Sequence, residues 1–296
     1  MPEELLWQSP VRWTPHTFQK QGVRFLLTHA AGGLLLDPGL GKTTIVLAAL
    51  KLLFKAGTIS KVLVIAPLRV CFSTWPGEIE KWADFNHLRY VVLHGPNKDE
   101  LLEQEADIYI INPEGLDWLL QTQKTKGRTN KTAVNIDLRR FKNMGFDVLV
   151  IDELTKFKNH SSDRFKAMKL ILGTFGRRWG LTGSPASNGL EPLFGQMMML
   201  DQGRSLGAYI THYRRDFFVP DPNGFAYNLM DGAEDRIYER INPVVLRIGG
   251  RGQHRHAAAG RQRHLGRSRC QGNGHLPVAG RAPDSAARGR LGDDCG

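Results

Sequence analysis

The sequence predicts one α/β domain with a mostly parallel sheet over residues 1–248, followed by a disordered basic tail over residues 249–296. Short apolar runs alternate with helical stretches, which is typical of a parallel sheet covered by helices on both faces. A glycine-rich turn joins the first of these runs to a helix. At residue 249 the composition changes abruptly: Phe, Trp, Tyr, Ile, Lys and Glu are all absent from 249–296, which is too poor in large apolar residues to bury a core.

The first elements are a helix and a buried strand. Thr14 is a plausible N-cap and Pro15 a first helical residue, so a helix is predicted from there to about His29. The apolar run 33–36 then predicts a strand buried on both faces. After the glycine turn, the stretch 45–54 is apolar and helical.

Later elements repeat this alternation. The loop 121–132 is polar and basic, and it predicts a mobile surface segment. The stretch 190–200 predicts an amphipathic helix whose Met197–Met199 run packs in the core. Further strands are predicted at 61–66, 90–93, 107–111, 146–153 and 178–182, with helical stretches near 78–82, 99–105 and 161–175.

The glycine-rich turn is typical of a loop that binds a nucleoside triphosphate. Residues 37–44 read Asp-Pro-Gly-Leu-Gly-Lys-Thr-Thr, and glycines let backbone N–H groups close around phosphates at a helix N-terminus. Lys42 would reach the β- and γ-phosphates, and Thr43 would bind Mg²⁺. Leu36 stands where the strict pattern has glycine, so a plain turn before Lys-Thr is the alternative. The predicted cofactor-binding set here is Gly39, Gly41, Lys42, Thr43 and Thr44.

The predicted strand 146–153 ends in two carboxylates. A carboxylate at the carboxyl end of a parallel strand lies at the edge where ligands bind. Asp152 would hold Mg²⁺, and Glu153 would orient and deprotonate the attacking water, with Lys42 as the third catalytic residue. The alternative is a pair of solvated side chains.

Two weaker signals accompany this pair. Small hydroxyl residues at 182–188 could bond both to the carboxylates and to a nucleic-acid strand, although taken alone the stretch is better explained as a polar turn. Gln19 carries a paired donor and acceptor that could read adenine. A lone glutamine on a helix is otherwise simply solvated.

Composition limits the partners and the compartment. Three cysteines without metal-like spacing predict neither a disulfide framework nor a zinc site, so a reducing cytoplasm is expected. No signal segment or membrane span is expected. The net charge of +11 is concentrated in residues 249–296, which hold nine Arg and three Asp. This tail is either a basic arm that contacts nucleic acid or an out-of-frame translation of a GC-rich gene.

Together these stretches resemble the motifs of superfamily 2 helicases, over about residues 12–247 and in the expected order. Leu154 and Thr155 stand where the family's motif II has Ala-His or Gly-His. Residues 111–115 (INPEG) stand where the Swi/Snf-like branch has a further DNA-contacting motif. The other matches are PHTFQKQGVRFL to the glutamine motif, DPGLGKTT to motif I, VIAPLRV with TWPGEIEKW to motif Ia of that branch, IDELTKFKN to motif II and LTGSPASN to motif III.

The resemblance implies the N-terminal RecA-like lobe of a DNA translocase, of a kind found in phages or mobile elements and so in a bacterial or phage-infected cytoplasm. It implies ATP and Mg²⁺ as cofactors and duplex DNA, bound through its backbone, as partner. The DNA contacts that it implies are Pro67, Arg69, Asn112, Glu114, Thr182 and Ser184. A non-catalytic DNA-binding or regulatory module is the alternative.

The family completes its ATP site with a second RecA-like lobe. Arginines from that lobe stabilise charge on the γ-phosphate, a contribution on the order of 10³–10⁵ in rate. No Gln-x-x-Gly-Arg-x-x-Arg pattern follows Leu246. Residues 1–296 are therefore expected to bind ATP weakly and to hydrolyse it very poorly, with a second lobe acting in trans.

Overall fold

A parallel sheet forms the centre of the fold. The computed structural model describes residues 11–126, 132–183, 189–221 and 226–248. Within them, seven strands pair in parallel in one sheet. The predicted α/β class with a parallel sheet is confirmed. The predicted tail at 249–296 and the hydroxyl-rich residues 184–188 lie outside the described residues.

The strands are numbered in chain order: β1 (Ala31–Leu36), β2 (Val62–Ile65), β3 (Tyr90–Val92), β4 (Ile108–Ile111), β5 (Gln123–Lys126), β6 (Thr132–Asn135), β7 (Val148–Asp152), β8 (Arg177–Thr182), β9 (Phe218–Pro220), β10 (Tyr227–Leu229) and β11 (Val245–Ile248). Their order in the parallel sheet is β11-β1-β8-β7-β2-β4-β3. The pairs β5–β6 and β9–β10 form separate antiparallel hairpins.

Helices cover both faces of the sheet. Among the described residues, none of them has the length and apolar character that crossing a membrane requires. The helices are α1 (Thr17–Thr28), α2 (Lys42–Lys55), α3 (Leu68–Phe72), α4 (Thr74–Lys81), α5 (Lys98–Glu103), α6 (Leu116–Leu119), α7 (Leu138–Asn143), α8 (Asp163–Ile171), α9 (Leu193–Asp201), α10 (Ile210–Phe217) and α11 (Ala233–Ile241).

Burial on both faces explains the continuous apolar runs of the central strands. Val62 and Val64 pack into one hydrophobic cluster with α1, α2 and α4. Leu63 and Ile65, which point the other way, pack into a second cluster with α8, α9 and α11. Each such buried side chain contributes about 1.5–3 kcal/mol. The central strands therefore form a rigid base for the loops at their carboxyl ends.

The first helix begins later than the sequence predicts. Thr14 and Pro15 lie outside α1, and His16 is its N-cap residue. The His16 N–H donates to Gln19 Oε1 at 2.9 Å. The Gln19 side chain in the first turn thus accepts a backbone N–H at the start of the helix, where Thr14 was expected to serve as the N-cap.

The prediction of a mobile loop over 121–132 is wrong for residues 123–126 and for residue 132, which lie in strands. Residues on either side pair as the β5–β6 hairpin, while 127–131 lie outside the described residues. Lys124 also forms ion pairs with Asp117 at 3.5 Å and with Asp163 at 3.4 Å. The composition is polar because both strands of this hairpin face water along the residues whose exposure is described.

The predicted amphipathic helix at 190–200 is buried along its whole length as α9. Its methionines pack in the core, as predicted. A Cβ at Gly195 would lie 2.4 Å from the Phe157 carbonyl oxygen, so the backbone at Phe157 packs directly against the backbone of α9. Beyond α9 the sequence analysis assigned no element, yet β11 pairs in parallel with β1 and forms one edge of the sheet.

Candidate functional site

The carboxyl ends of five strands bring most of the predicted residues to one edge of the sheet. β1 leads into the loop 37–41, β7 ends at Asp152 and β8 ends at Thr182. β8 lies between β1 and β7, so the loop and the carboxylate pair are separated by one strand. β2 and β4 lead into Pro67 and Asn112 at the same edge.

Two glycines set the path of the loop. Gly39 and Gly41 have φ of 85° and 73°, in the left-handed region that favours glycine. A Cβ at Gly41 would also lie 2.6 Å from Gln19 Nε2 and 2.8 Å from Thr44 Oγ1. Leu36, which replaces the first glycine of the strict pattern, is the fully buried last residue of β1. The strand thus extends through the position where other loops begin to turn.

Lys42 folds back across the loop. Its Nζ donates to the carbonyl oxygens of Leu36 at 2.8 Å and of Asp37 at 3.2 Å. Burial lowers the pKa of Lys42, and attraction to Asp152, Glu153 and Asp37 partly offsets this. The ammonium therefore lies within electrostatic reach of the carboxylate pair, where a bound phosphate would take over its hydrogen bonds.

The two threonines at the start of α2 differ in what they bind. Thr44 Oγ1 donates to the Gly41 carbonyl oxygen at 2.8 Å and so closes the loop. The Thr43 side chain is buried and makes no hydrogen bond within the described residues. The role of Thr43 as a metal ligand stays a prediction, whereas Thr44 acts within the loop itself.

Asp152 accepts a hydrogen bond from a tryptophan that sequence reasoning missed. Trp75 Nε1 lies 2.9 Å from Asp152 Oδ2. Burial raises the pKa of Asp152, and the Trp75 hydrogen bond opposes that shift, as does the charge of Lys42. No local pattern marks Trp75, because its contact depends on the pairing of β2 with β7.

Glu153 is held by two hydroxyls and by an unusual backbone. Its φ of 72° is left-handed, which is costly for a residue other than glycine. Its N–H donates to the Leu181 carbonyl oxygen at 2.9 Å. Thr155 and Thr182 donate to Oε1 at 2.5 Å and 3.1 Å. The side chain is thereby fixed at the end of β7.

The two residues that depart from motif II have separate functions. Leu154 is fully buried and packs so closely on Gly180 that a Cβ there would lie 2.5 Å from Leu154 Cδ1. Thr155 supplies a hydroxyl to Glu153. The alanine position is thus used for packing, and the histidine position for a short polar contact.

Gln19 lies against the loop, as the glutamine motif predicts. Its Oε1 accepts from the His16 N–H, and its Nε2 donates to the Leu40 carbonyl oxygen at 3.3 Å. A primary amide has a second N–H and a second lone pair. The contact with adenine therefore stays a prediction that these hydrogen bonds permit.

The predicted DNA-contacting residues fall into two groups. Arg69 is exposed on α3, just after Pro67. Thr182 is 1% exposed, and its hydroxyl bonds to Glu153. The structure therefore places Thr182 with the nucleotide residues, and a direct contact of its side chain with DNA is not supported. Ser184 lies outside the described residues.

Asn112 and Glu114 bond to each other within their turn. Asn112 Nδ2 donates to Glu114 Oε2 at 2.8 Å, and Arg164 donates to the other carboxylate oxygen at 3.0 Å. Burial would raise the pKa of Glu114, but these hydrogen bonds outweigh it and lower that pKa. Both side chains fix the turn, so a DNA contact from this turn would come from its backbone N–H groups.

The donor set fits a magnesium nucleotide better than a metal held by protein alone. Within the described ranges, no group of three or more His, Cys, Asp or Glu is placed to hold a metal ion. Mg²⁺ is commonly bound by one or two protein oxygens together with water and substrate phosphates. The Thr43 hydroxyl and the Asp152 carboxylate are such oxygens.

These features define a RecA-like P-loop nucleotide-binding domain: a buried strand, a loop with left-handed glycines, Lys-Thr at a helix start and an Asp-Glu pair two strands away. The family described as "SNF2-related domain" matches residues 18–247. The chain belongs to this family, and it contains the N-terminal lobe of an SNF2-type ATPase.

Relatives from a phage and from animals agree with this assignment. Protein p41 of Acyrthosiphon pisum secondary endosymbiont phage 1 is 30% identical over 235 residues, which are 73% of this chain and 47% of that protein. The DNA excision repair protein ERCC-6-like of Homo sapiens is 30% identical over 202 residues, 65% of this chain and 15% of that protein. The chain thus spans about half or less of these relatives.

Solved structures share the fold. The Sulfolobus solfataricus SWI2/SNF2 ATPase core in complex with dsDNA matches with a TM-score of 0.62 and 24% identity, covering 82% of this chain and 46% of that one. The core domain from the same organism has a TM-score of 0.59 and 25% identity, covering 83% and 45%. The predicted RecA-like lobe is confirmed.

Proposed function

We propose that this chain is the ATP-binding lobe of a DNA-dependent ATPase that moves along DNA. One observation carries the proposal. Lys42 follows a loop whose Gly41 leaves no room for a side chain, and only β8 separates that loop from the strand that ends at Asp152. Family membership adds the expectation of ATP use.

The residues of the loop bind the nucleotide in this proposal. Backbone N–H groups of 39–44 surround the phosphates at the N-terminus of α2. Lys42 exchanges its two carbonyl partners for phosphate oxygens, and Gln19 contacts the adenine. The Thr43 hydroxyl and the Asp152 carboxylate would hold Mg²⁺, which when bound neutralises charge on the phosphates.

Glu153 orients the attacking water and accepts its proton. The hydroxyls of Thr155 and Thr182 keep its carboxylate at the end of β7. Fast hydrolysis also requires arginines from a second RecA-like lobe, whether that lobe lies in a longer chain or in a separate one. Residues 1–296 alone are then slow, by a factor on the order of 10³–10⁵.

The same edge of the sheet binds DNA in this proposal. Arg69 and the backbone around Pro67 and 112–115 contact phosphates, which gives affinity without sequence choice. Duplex DNA is the form to test first, since one solved neighbour is a complex with dsDNA. The phage relative supports a bacterial or phage-infected cytoplasm as the setting.

The alternative is a non-catalytic DNA-binding or regulatory module without an ATP cycle. Lys42→Ala separates the two proposals. It removes charge-assisted hydrogen bonds of about 1.5–3 kcal/mol each, so the affinity for a fluorescent ATP analogue should fall at least about tenfold. It should also abolish any effect of Mg²⁺·ATP on the anisotropy of a labelled duplex.

Lys51→Ala is the matched control. Lys51 lies on the same helix, nine residues after Lys42, and pairs with Asp84 at 2.7 Å. Its removal should leave both readouts unchanged. The module without an ATP cycle would be supported if wild-type protein bound the duplex with the same affinity with and without nucleotide, and if Lys42→Ala left that affinity unchanged.

A further inference from the structure

We propose that Trp75 is a positioning residue that fixes the Asp152 carboxylate for the metal-bound nucleotide. This inference rests on the proposed function and assigns a residue of α4 to it. The indole N–H of Trp75 donates to Asp152 Oδ2 at 2.9 Å. The two residues are 77 positions apart in sequence and meet only in the folded lobe.

The surroundings of Trp75 hold its indole in place. The side chain is fully buried and packs with α2 in the hydrophobic cluster on one face of the sheet. β2 and β7 are paired neighbours, with Ile65 opposite Ile151, so the segment that follows β2 crosses beside the end of β7. A buried indole whose N–H reaches a carboxylate restricts both partners.

The hydrogen bond leaves the carboxylate able to bind a metal. It uses one of the two oxygens, and an ionised carboxylate accepts about four hydrogen bonds in all. The indole carries no charge, so it orients Asp152 without competing for the cation. Partners of this kind orient metal-binding side chains in many proteins, and their loss typically weakens metal binding by about 10–100-fold.

The position of Trp75 in the chain adds a second consequence. Only a few residues separate it from Arg69, and α3 and α4 are almost continuous. A shift of α3 when DNA binds would reach the indole through this short connection. Trp75 therefore joins the segment proposed to contact DNA to the carboxylate proposed to hold Mg²⁺.

A second tryptophan of the same region provides a matched control. Trp82 follows α4, and its Nε1 donates to Glu78 Oε2 at 2.6 Å. This pair lies within one helical turn at the surface, and Trp82 stacks under the Lys81 ammonium at 4.6 Å. Trp75→Phe and Trp82→Phe each remove one indole N–H from a carboxylate, but only the first touches the site.

The test measures binding of a fluorescent ATP analogue to the full chain at increasing Mg²⁺, starting from EDTA. Trp75→Phe should raise the Mg²⁺ concentration that gives half of the affinity gain by about tenfold. The affinity in EDTA should stay within about twofold of wild type, because the loop and Lys42 are intact. Trp82→Phe should match wild type in both measurements.

Two results would overturn the proposal. One is a Trp75→Phe protein whose Mg²⁺ dependence equals that of wild type. The other is an equal loss of affinity in EDTA and in Mg²⁺, which a merely structural role predicts. Wild-type protein that binds no nucleotide at any Mg²⁺ concentration would instead refute the proposed function, so the two failures are distinguishable.

A spectroscopic measurement covers the case in which Trp75→Phe does not fold. Indole N–H resonances report their hydrogen-bond partners directly. Asp152→Asn should shift one indole resonance and Glu78→Gln a different one, and Mg²⁺ with nucleotide should shift the first resonance in wild-type protein. A resonance that responds to Asp152→Asn but not to Mg²⁺ with nucleotide would contradict the positioning role.

Discussion

Two aspartates at opposite ends of β7 show how the two edges of the sheet differ. Asp147 precedes the strand and accepts from Ser60 N at 2.6 Å, Ser60 Oγ at 2.9 Å and Lys61 N at 3.1 Å. Burial opposes ionisation, but these hydrogen bonds outweigh it and lower the pKa of Asp147. Burial instead dominates at Asp152 and raises its pKa.

The arginines of the two edges differ in the same way. Arg89, just before β3, pairs with Glu105 at 3.2 Å and with Asp107 at 3.4 Å. Arg69, on the carboxyl side of β2, is exposed and makes no ion pair with the described residues. Asp147 and Arg89 at the amino edge are thus paired with neighbouring groups. Arg69 at the carboxyl edge has no ion-pair partner in the part of the chain that the structure describes, so its charge is available to a ligand.

The largest expected effect separates the two aspartates by function. Asp152→Asn keeps the size of the side chain and removes the charge that would attract a cation. The Mg²⁺ concentration needed to tighten binding of a fluorescent ATP analogue should rise about 100-fold. Loss of a residue that only orients a metal ligand weakens metal binding by up to about 100-fold, and loss of the ligand itself should cost at least as much. The measurement is the same Mg²⁺ titration of nucleotide binding.

Asp147→Asn is the control for that titration and should change the Mg²⁺ dependence by less than about twofold. The side chain lies at the other end of β7 from the loop. Equal responses of the two variants would mean that the contrast between the edges does not concern metal binding.

The next effect separates the two aspartates by stability. Asp147→Asn weakens charge-assisted hydrogen bonds to two backbone N–H groups, so the free energy of unfolding near pH 7 should fall by about 1–2 kcal/mol. Because the pKa of Asp147 is lower in the folded state, its contribution is complete above the unfolded value of about 3.9. The contribution is lost as the pH falls through the folded value.

Urea unfolding of wild type and Asp147→Asn at several pH values checks this expectation. The difference in unfolding free energy should be constant near neutral pH and should shrink below about pH 4. A difference that persists unchanged in acid would assign the effect to packing instead of to the charge.

The sequence predicted the nucleotide loop well because its conformation depends on residues within it. Gly39, Gly41 and the Lys-Thr pair form one short segment, and their left-handed φ values follow from glycine itself. Parallel strands bring their carboxyl ends to the same edge, so the position of Asp152 near this loop also followed from local patterns. The prediction thus required only the conformational preferences of residues within the loop and the rule that parallel strands share one carboxyl edge.

What the sequence could not predict depends on pairing between distant segments. Trp75 and Asp152 meet because β2 and β7 are neighbours, and Thr182 meets Glu153 because β7 and β8 are. β11 is short and contains Arg247, so no apolar pattern predicts a strand there; the strand is defined by its pairing with β1. Thr182 looked accessible in sequence, whereas the fold buries it against Glu153.

The smallest expected effect tests the contrast between the arginines. If Arg69 contacts a DNA phosphate, Arg69→Ala should reduce the magnitude of the slope of log affinity against log salt concentration by about one. The affinity for a labelled duplex should fall several-fold at low salt, because binding of the variant releases about one counterion fewer from the DNA. Binding of the ATP analogue should not change, since Arg69 lies outside the nucleotide loop.

Arg89→Ala provides the matched comparison, because it removes the same charge from the opposite edge. Arg89 is already paired with Glu105 and Asp107, so its loss should leave the salt slope unchanged. Anisotropy of the duplex between about 50 and 200 mM salt measures both variants. If Arg89→Ala lowers the slope as much as Arg69→Ala does, DNA is held by the general positive charge of the chain. The carboxyl edge would then have no special part in binding DNA.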